Sequence, residues 1–225
     1  MASADRSTLF INATVLDGSE HMEPQPDMAV TVERGVITWM GPSAVAQAPA
    51  GAEVIDLGGA YLMPGLINMH VHLPASGKPK KKASDPKKLV KLITSCGLMN
   101  KIGVNMCEGY AKTELLSGVT TIRTVGGIAD IDTRLRGRIA AGKCDGPRIL
   151  AADMAVSVPG GHMAGSLAYE ATSAAQAAED VRKIAQGKPD LIKLMITGGV
   201  LDAKKKGEPG ELKMPPEYVR AACGE

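Results

Sequence analysis

Residues 62–73, Leu62-Met-Pro-Gly-Leu-Ile-Asn-Met-His-Val-His-Leu73, decide how this chain reads. The apolar run is too short to cross a membrane and follows Pro64-Gly65, so it predicts a buried strand. Side chains on a strand alternate between faces, and residues two apart point the same way. His70 and His72 therefore project together from the strand end, a spacing suited to holding one metal ion through neutral ring nitrogens. Two incidental histidines, one bonded to backbone, would satisfy the same pattern, and His-X-His alone does not separate the two.

Upstream, the sequence reads as strands only. Residues 7–16 form one, Met28–Glu33 and Val36–Met40 flank a tight Arg34-Gly35 turn, and Ala52–Leu57 adds another before Gly58-Gly59. Residues 1–61 are thus expected to be a small β unit, with residues 62–225 as the second domain.

Downstream, a beat of strands and helices begins. Asp85-Pro86 is a cap and first helical position for a helix from about Lys87 to Leu116, broken near Gly97. Val119–Val125 reads as a strand ending in Gly126-Gly127, followed by a helix over 132–141. Residues 148–156 make the next strand, which opens into the loop Pro159-Gly-Gly-His-Met-Ala-Gly165. An alanine-rich helix spans roughly Ser173–Gln186, with Ala177, Val181 and Ile184 on its buried side. Leu191–Thr197 is a fourth strand, again followed by a glycine pair, and Pro215-Pro216 introduces a last short helix. This alternation predicts right-handed β-α units and a parallel sheet, an α/β fold.

Composition excludes several classes. Seven lysines between Lys78 and Lys91 give that segment a local +6 against a whole-chain charge of +2, so the rest is net acidic. A solvated loop is the simplest reading of the run. Aromatic residues are only 3%, which argues against stacking on single-stranded nucleic acid. No apolar stretch reaches the ~18 residues of a membrane span. The N-terminus lacks the apolar core of a secretory signal, and Cys96, Cys107, Cys144 and Cys223 show no Cys-X-X-Cys spacing. Reduced thiols and a cytoplasmic location are expected.

Lys193 lies amid Leu191, Ile192, Leu194, Met195 and Ile196, where a cation is expensive to bury. It either reaches a carboxylate or solvent, or is held for chemistry or metal binding. Taken in order, Ile55-Asp-Leu-Gly-Gly, Met63-Pro-Gly-Leu-Ile-Asn-X-His-X-His, Gly118-Val-Thr-Thr-Ile-Arg with Gly126-Gly127, and Ile192-Lys-Leu-Met-Ile-Thr-Gly-Gly-Val resemble the amidohydrolase superfamily. The likeness is strongest to the branch of Xaa-Pro and Xaa-Arg dipeptidases and imidazolonepropionase-like enzymes.

That resemblance implies the first four strands of a (β/α)₈ barrel, preceded by a small β-sandwich. It implies His70 and His72 as ligands of one zinc-type ion, and Lys193 carboxylated so that its carbamate bridges two divalent ions, zinc or another metal. It implies hydrolysis of an amide or dipeptide, or of a cyclic amide, by a water whose pKa the metal lowers. His162 would bind substrate, Thr197 would stand behind the ligands, and Arg123 is expected in an ion pair. Thr124 occupies the position of the family's usual acidic residue and takes no role. A full barrel needs ~250 residues, more than follow residue 61. Strands five to eight, two further metal-binding histidines and the general-base aspartate are therefore expected outside this sequence, so no residue here is assigned as the base. Half a barrel leaves apolar edges, which predicts association with a second chain carrying the remainder, or between copies. A non-catalytic fragment or structural subunit is the contrasting reading.

Overall fold

The computed structural model describes residues 7–77, 85–199 and 210–225. The chain divides into two compact units, residues 1–65 and residues 66–225.

The first unit is built on one five-stranded sheet. Its strands are β1 (Ser7–Val15), β2 (Gln25–Glu33), β3 (Val36–Pro42), β4 (Glu53–Asp56) and β5 (Tyr61–Leu62). The order is β3-β2-β1-β4, with β5 also paired to β1. β1, β2 and β3 pair antiparallel, whereas β4 and β5 lie parallel to β1. The β2–β3 turn forms where the sequence places it: Arg34 and Gly35 both have positive φ (50° and 77°), as a two-residue turn matched to strand twist requires. Ala13, Val15 and Val30 form a small core on one face. Among the described residues the unit contributes this single sheet and no second layer.

The second unit is α/β. β6 (Leu66–Val71), β7 (Val119–Thr124) and β8 (Arg148–Leu150) form a parallel sheet in that order. Between β6 and β7 run α1 (Pro86–Ile93) and α2 (Gly97–Leu116). Asp85 caps α1 by accepting from the Lys87 N–H at 2.9 Å, which satisfies one of the helix's open donors. α3 (Ile131–Ala140) follows β7. Val71, Leu73, Val104, Cys107, Ile122, Ile128, Ile131, Leu135 and Ile149 interlock between sheet and helices. Fully burying an aliphatic side chain of this size stabilises by roughly 1.5–3 kcal/mol. All four cysteines are free.

The expected single strand over 148–156 is broken in two. β8 ends at Leu150, and β9 (Ala155–Ser157) starts a second parallel pair with β10 (Ala168–Glu170), a strand the sequence did not signal. The backbone donors explain the break. The Ala151 N–H goes to Asp190 Oδ2 at 2.8 Å and the Ala152 N–H to Thr124 Oγ1 at 2.9 Å, so neither extends a ladder. Asp153 then turns the chain with φ +55°.

α4 (Ala174–Ala185) is capped by Ser173, whose hydroxyl accepts from the Gln176 N–H at 3.1 Å. The expected fourth strand is reduced to one parallel bridge between Leu194 and Val156. It is held by Val156 N–H to Lys193 O at 2.9 Å and Met195 N–H to Val156 O at 2.8 Å. The segment meets β9 on one side, and Thr197 then leaves to bridge Leu212, so the ladder does not lengthen. α5 (Pro216–Cys223) closes the unit against α4.

The lysine run is not all loop. Lys87, Lys88 and Lys91 are exposed on α1, while residues 78–84 lie outside the described residues. No helix among the described residues is long and apolar enough to cross a membrane.

Candidate metal centre

The end of β6 and the residue beyond it bring the two histidines side by side. The His70 and His72 ring centroids are 5.3 Å apart, with the rings inclined at 69°. His70 is exposed and His72 half-buried, and Val71 between them turns inward to the core. His72 Nδ1 lies 2.9 Å from the Gly126 carbonyl oxygen, just beyond β7. A carbonyl can only accept, so Nδ1 carries the proton and Nε2 presents its lone pair. This is how metal-binding imidazoles are commonly oriented.

Both imidazoles are held below the ordinary pKa of 6.5. For His70 the causes are burial, then the charges of Lys193, Arg123 and His162. For His72 burial again leads, opposed by the Gly126 bond, with His70, His162 and Lys193 adding to the lowering. Lys193 and His162 thus lie near enough to act on both rings. Neutral imidazoles are the form that ligates metal.

The other candidates gather nearby. Lys193 is half-buried on the segment bridged to β9, and its own backbone carbonyl accepts from Val156. His162 is half-buried in the loop after β9, its backbone N–H bound to the Thr197 carbonyl at 3.1 Å. Thr197 therefore acts on the site through its main chain. A Cβ placed on Gly199 would fall 1.9 Å from His162 Nδ1, so the glycine makes room for the ring. The ion pair expected for Arg123 is not found among the described residues. Its Nε donates instead to the Met69 carbonyl at 2.9 Å, tying β7 to β6 beside the histidines. Asn68, His70, His72, Ser76, Tyr110 and Glu114 are among the residues lining a cavity of about 320 Å³.

Among the described residues no group of three or more His, Cys, Asp or Glu side chains could hold a metal by itself. The candidate donors that lie together here are the two imidazoles, with Lys193 near enough to act on both. Such a set fits part of a nitrogen- and oxygen-ligated divalent site and requires further donors to complete it.

Sequence reasoning missed the Gly126 carbonyl as the group that orients His72. It also missed Gly199 as the space for His162. The glycine pairs at 126–127 and 198–199 were the available signal, read only as strand ends.

The amidohydrolase family model matches residues 61–223, well over half of the chain. The chain belongs to the amidohydrolase family. This amidohydrolase is 39% identical over 69 residues to the dihydroorotase of Pelobacter propionicus, a stretch covering 31% of this chain and 15% of that one. It is 38% identical over 78 residues to the imidazolonepropionase of Colwellia psychrerythraea, covering 31% and 19%. Among solved structures, a prolidase-like protein of Bifidobacterium longum superposes with a TM-score of 0.75 at 30% identity, over 97% of this chain and 46% of that one. A Xaa-Pro dipeptidase with methionine bound in its active site superposes with a TM-score of 0.74 over 97% and 53%, and at 24% identity that likeness concerns the fold. The chain spans about half the length of these solved structures.

Proposed function

We propose that this chain carries the first part of the active site of a metal-dependent hydrolase that cleaves a C–N bond, of the dipeptidase kind, in an Xaa-Pro or Xaa-Arg substrate. The observation that carries the reading is the meeting of two neutral imidazoles, one fixed in tautomer by Gly126, with the charge of Lys193. In this proposal β6, β7, β8–β9 and the segment bridged at Leu194 are the opening strands of a (β/α)₈ barrel. The five-stranded sheet of residues 7–62 is one layer of a sandwich. The remaining donors and the general base come from residues outside this sequence, in the same protein or on a second chain.

His70 and His72 would hold a zinc-type ion, and Lys193, carboxylated on Nζ, would add an anionic oxygen donor to the divalent metal site. Carboxylation would turn a costly half-buried cation into an anionic oxygen donor whose charge bound divalent ions would neutralise. Divalent ions bound there supply Lewis acidity and lower the pKa of water. The chain's own residues do the rest. Gly126 holds the His72 ring with Nε2 free, Arg123 ties the β6 end to β7, and His162 reaches the substrate from the loop after β9.

Metal analysis and hydrolysis assays test this. About two divalent ions per assembly, dipeptide hydrolysis abolished by chelator and restored by zinc, and loss of both metal and activity in Lys193→Ala are expected. A metal-free, chelator-indifferent protein would instead be a structural subunit. The local similarity to imidazolonepropionase and dihydroorotase favours a second reading, a cyclic amide as substrate. Turnover of a cyclic amide without dipeptide hydrolysis would select it.

A further inference from the structure

Asp132 has no part in the chemistry above, yet it is fully buried against Gly127, the residue after the one whose carbonyl meets His72. It lies in the first turn of α3. Neither of its carboxylate oxygens makes a well-formed hydrogen bond, although Thr124 and the Asp153 N–H are close enough to influence it. A buried carboxyl left in this state is costly and calls for an explanation.

The explanation lies in what it touches. The Gly126–Gly127 peptide is planar and trans, so its C=O and N–H point to opposite sides. The C=O accepts from His72 Nδ1 at 2.9 Å, and the N–H donates to the Asp153 carbonyl at 2.6 Å. Gly126 has φ +133°, a conformation that side-chain-bearing residues rarely adopt. The Asp132 carboxyl lies flat against Gly127: a Cβ there would meet Oδ2 at 2.7 Å, Oδ1 at 2.8 Å and Cγ at 2.9 Å. Asp153 returns the contact, its Oδ1 accepting from the Thr133 N–H of α3 at 3.0 Å. The first turn of α3, Asp132, Gly127 and Asp153 therefore form a closed ring of contacts around one peptide plane. The far end of that plane is the carbonyl that sets His72.

We propose that Asp132 is a positioning residue, a wedge between α3 and Gly127 that fixes the tilt of the Gly126–Gly127 peptide and through it the Nδ1–H tautomer and ring direction of His72. Its consequence for metal binding rests on the reading of His72 as a ligand. Its consequence for the tautomer does not.

The test is ¹⁵N NMR of the imidazole nitrogens in the metal-free chain, joined to cobalt titration, for the wild type, Asp132→Ala and Asp132→Asn. The wild type is expected to show His72 predominantly protonated on Nδ1. Asp132→Ala is expected to give a mixture of tautomers and about tenfold weaker cobalt binding, the scale of losing an outer contact to a metal ligand. Asp132→Asn, of nearly the same shape, is expected to restore both. A folded Asp132→Ala with the wild-type tautomer overturns the proposal, as does an equal loss in Asp132→Asn. Should Asp132→Ala fail to fold, Gly127→Ala is read in its place, because its Cβ displaces the same carboxyl. An altered His72 tautomer there supports the wedge, and an unaltered one overturns it. Absence of cobalt binding throughout, with the tautomer still following Asp132, would remove the metal reading and leave the positioning role standing.

Discussion

The Nδ1 of His162 occupies the space of the side chain that Gly199 lacks: a Cβ built there would sit 1.9 Å away. The His162 main chain is fixed independently by the Thr197 carbonyl, so ring and backbone are held from the same segment. Gly199→Ala is expected to push the ring out of place while the fold survives. Overpacking of this kind costs about 1–3 kcal/mol. A fall in thermal midpoint together with a shifted His162 imidazole resonance checks it, and an unmoved resonance would show that the ring does not depend on this space.

Acid should weaken the histidine site early. Burial, with Lys193 and other cations adding to it, places both imidazoles below their ordinary 6.5. A base whose folded pKa is depressed contributes stability in full above its unfolded pKa and loses it as pH falls through the folded value. Stability and cobalt uptake are therefore expected to decline together from about pH 6.5 downward. His72→Ala should flatten the stability decline. Calorimetry and cobalt absorbance across pH 5–8 measure it, and a pH-independent His72 contribution would contradict the burial.

Asp132 has the opposite sign. Burial chiefly, with Asp153 nearby, pushes its carboxyl from 3.8 up to about 7. A raised folded pKa gives a contribution complete below 3.8 and lost as pH rises through about 7. Asp132→Asn, which cannot ionise, is expected to gain on the wild type at pH 8 relative to pH 4 by ~1.4 kcal/mol or more, the worth of one pKa unit. Denaturant midpoints at the two pH values decide it, and an equal difference at both would mean that the carboxyl is not held neutral.

β6 lies at one edge of its sheet, and Leu66, Ile67 and Met69 on it are exposed. An apolar open edge invites pairing with another strand. The isolated chain is expected to self-associate, and Ile67→Lys to raise the monomer fraction. Sedimentation velocity reads this directly; a wild-type chain that stays monomeric would show that the edge is not adhesive.

What the sequence displayed was what local chemistry controls. Asp85 caps its helix where its residue type and spacing place it, and Arg34-Gly35 makes the hairpin turn its backbone freedom allows. His70 and His72 lie side by side as the two-residue period requires. What it hid were bonds between distant segments. β8 stops because Asp190 and Thr124, 39 and 28 positions from the donors they capture, take the next two N–H groups. Arg123 finds a carbonyl 54 residues away rather than a carboxylate, and the Gly126 carbonyl that orients His72 is equally remote. Periodicity carries no trace of such partners.

β6, β7 and β8 all run the same way, and so do β9 and β10. Each of these strands therefore finishes at the same end of its sheet, and His72, Gly126 and the 159–165 loop all come just after a finish. The candidate site residues and the packing that holds the fold are consequently carried by separate parts of the polypeptide. Exchanging the 159–165 sequence is expected to change what surrounds His162, while the helices packed along the strands keep the scaffold standing.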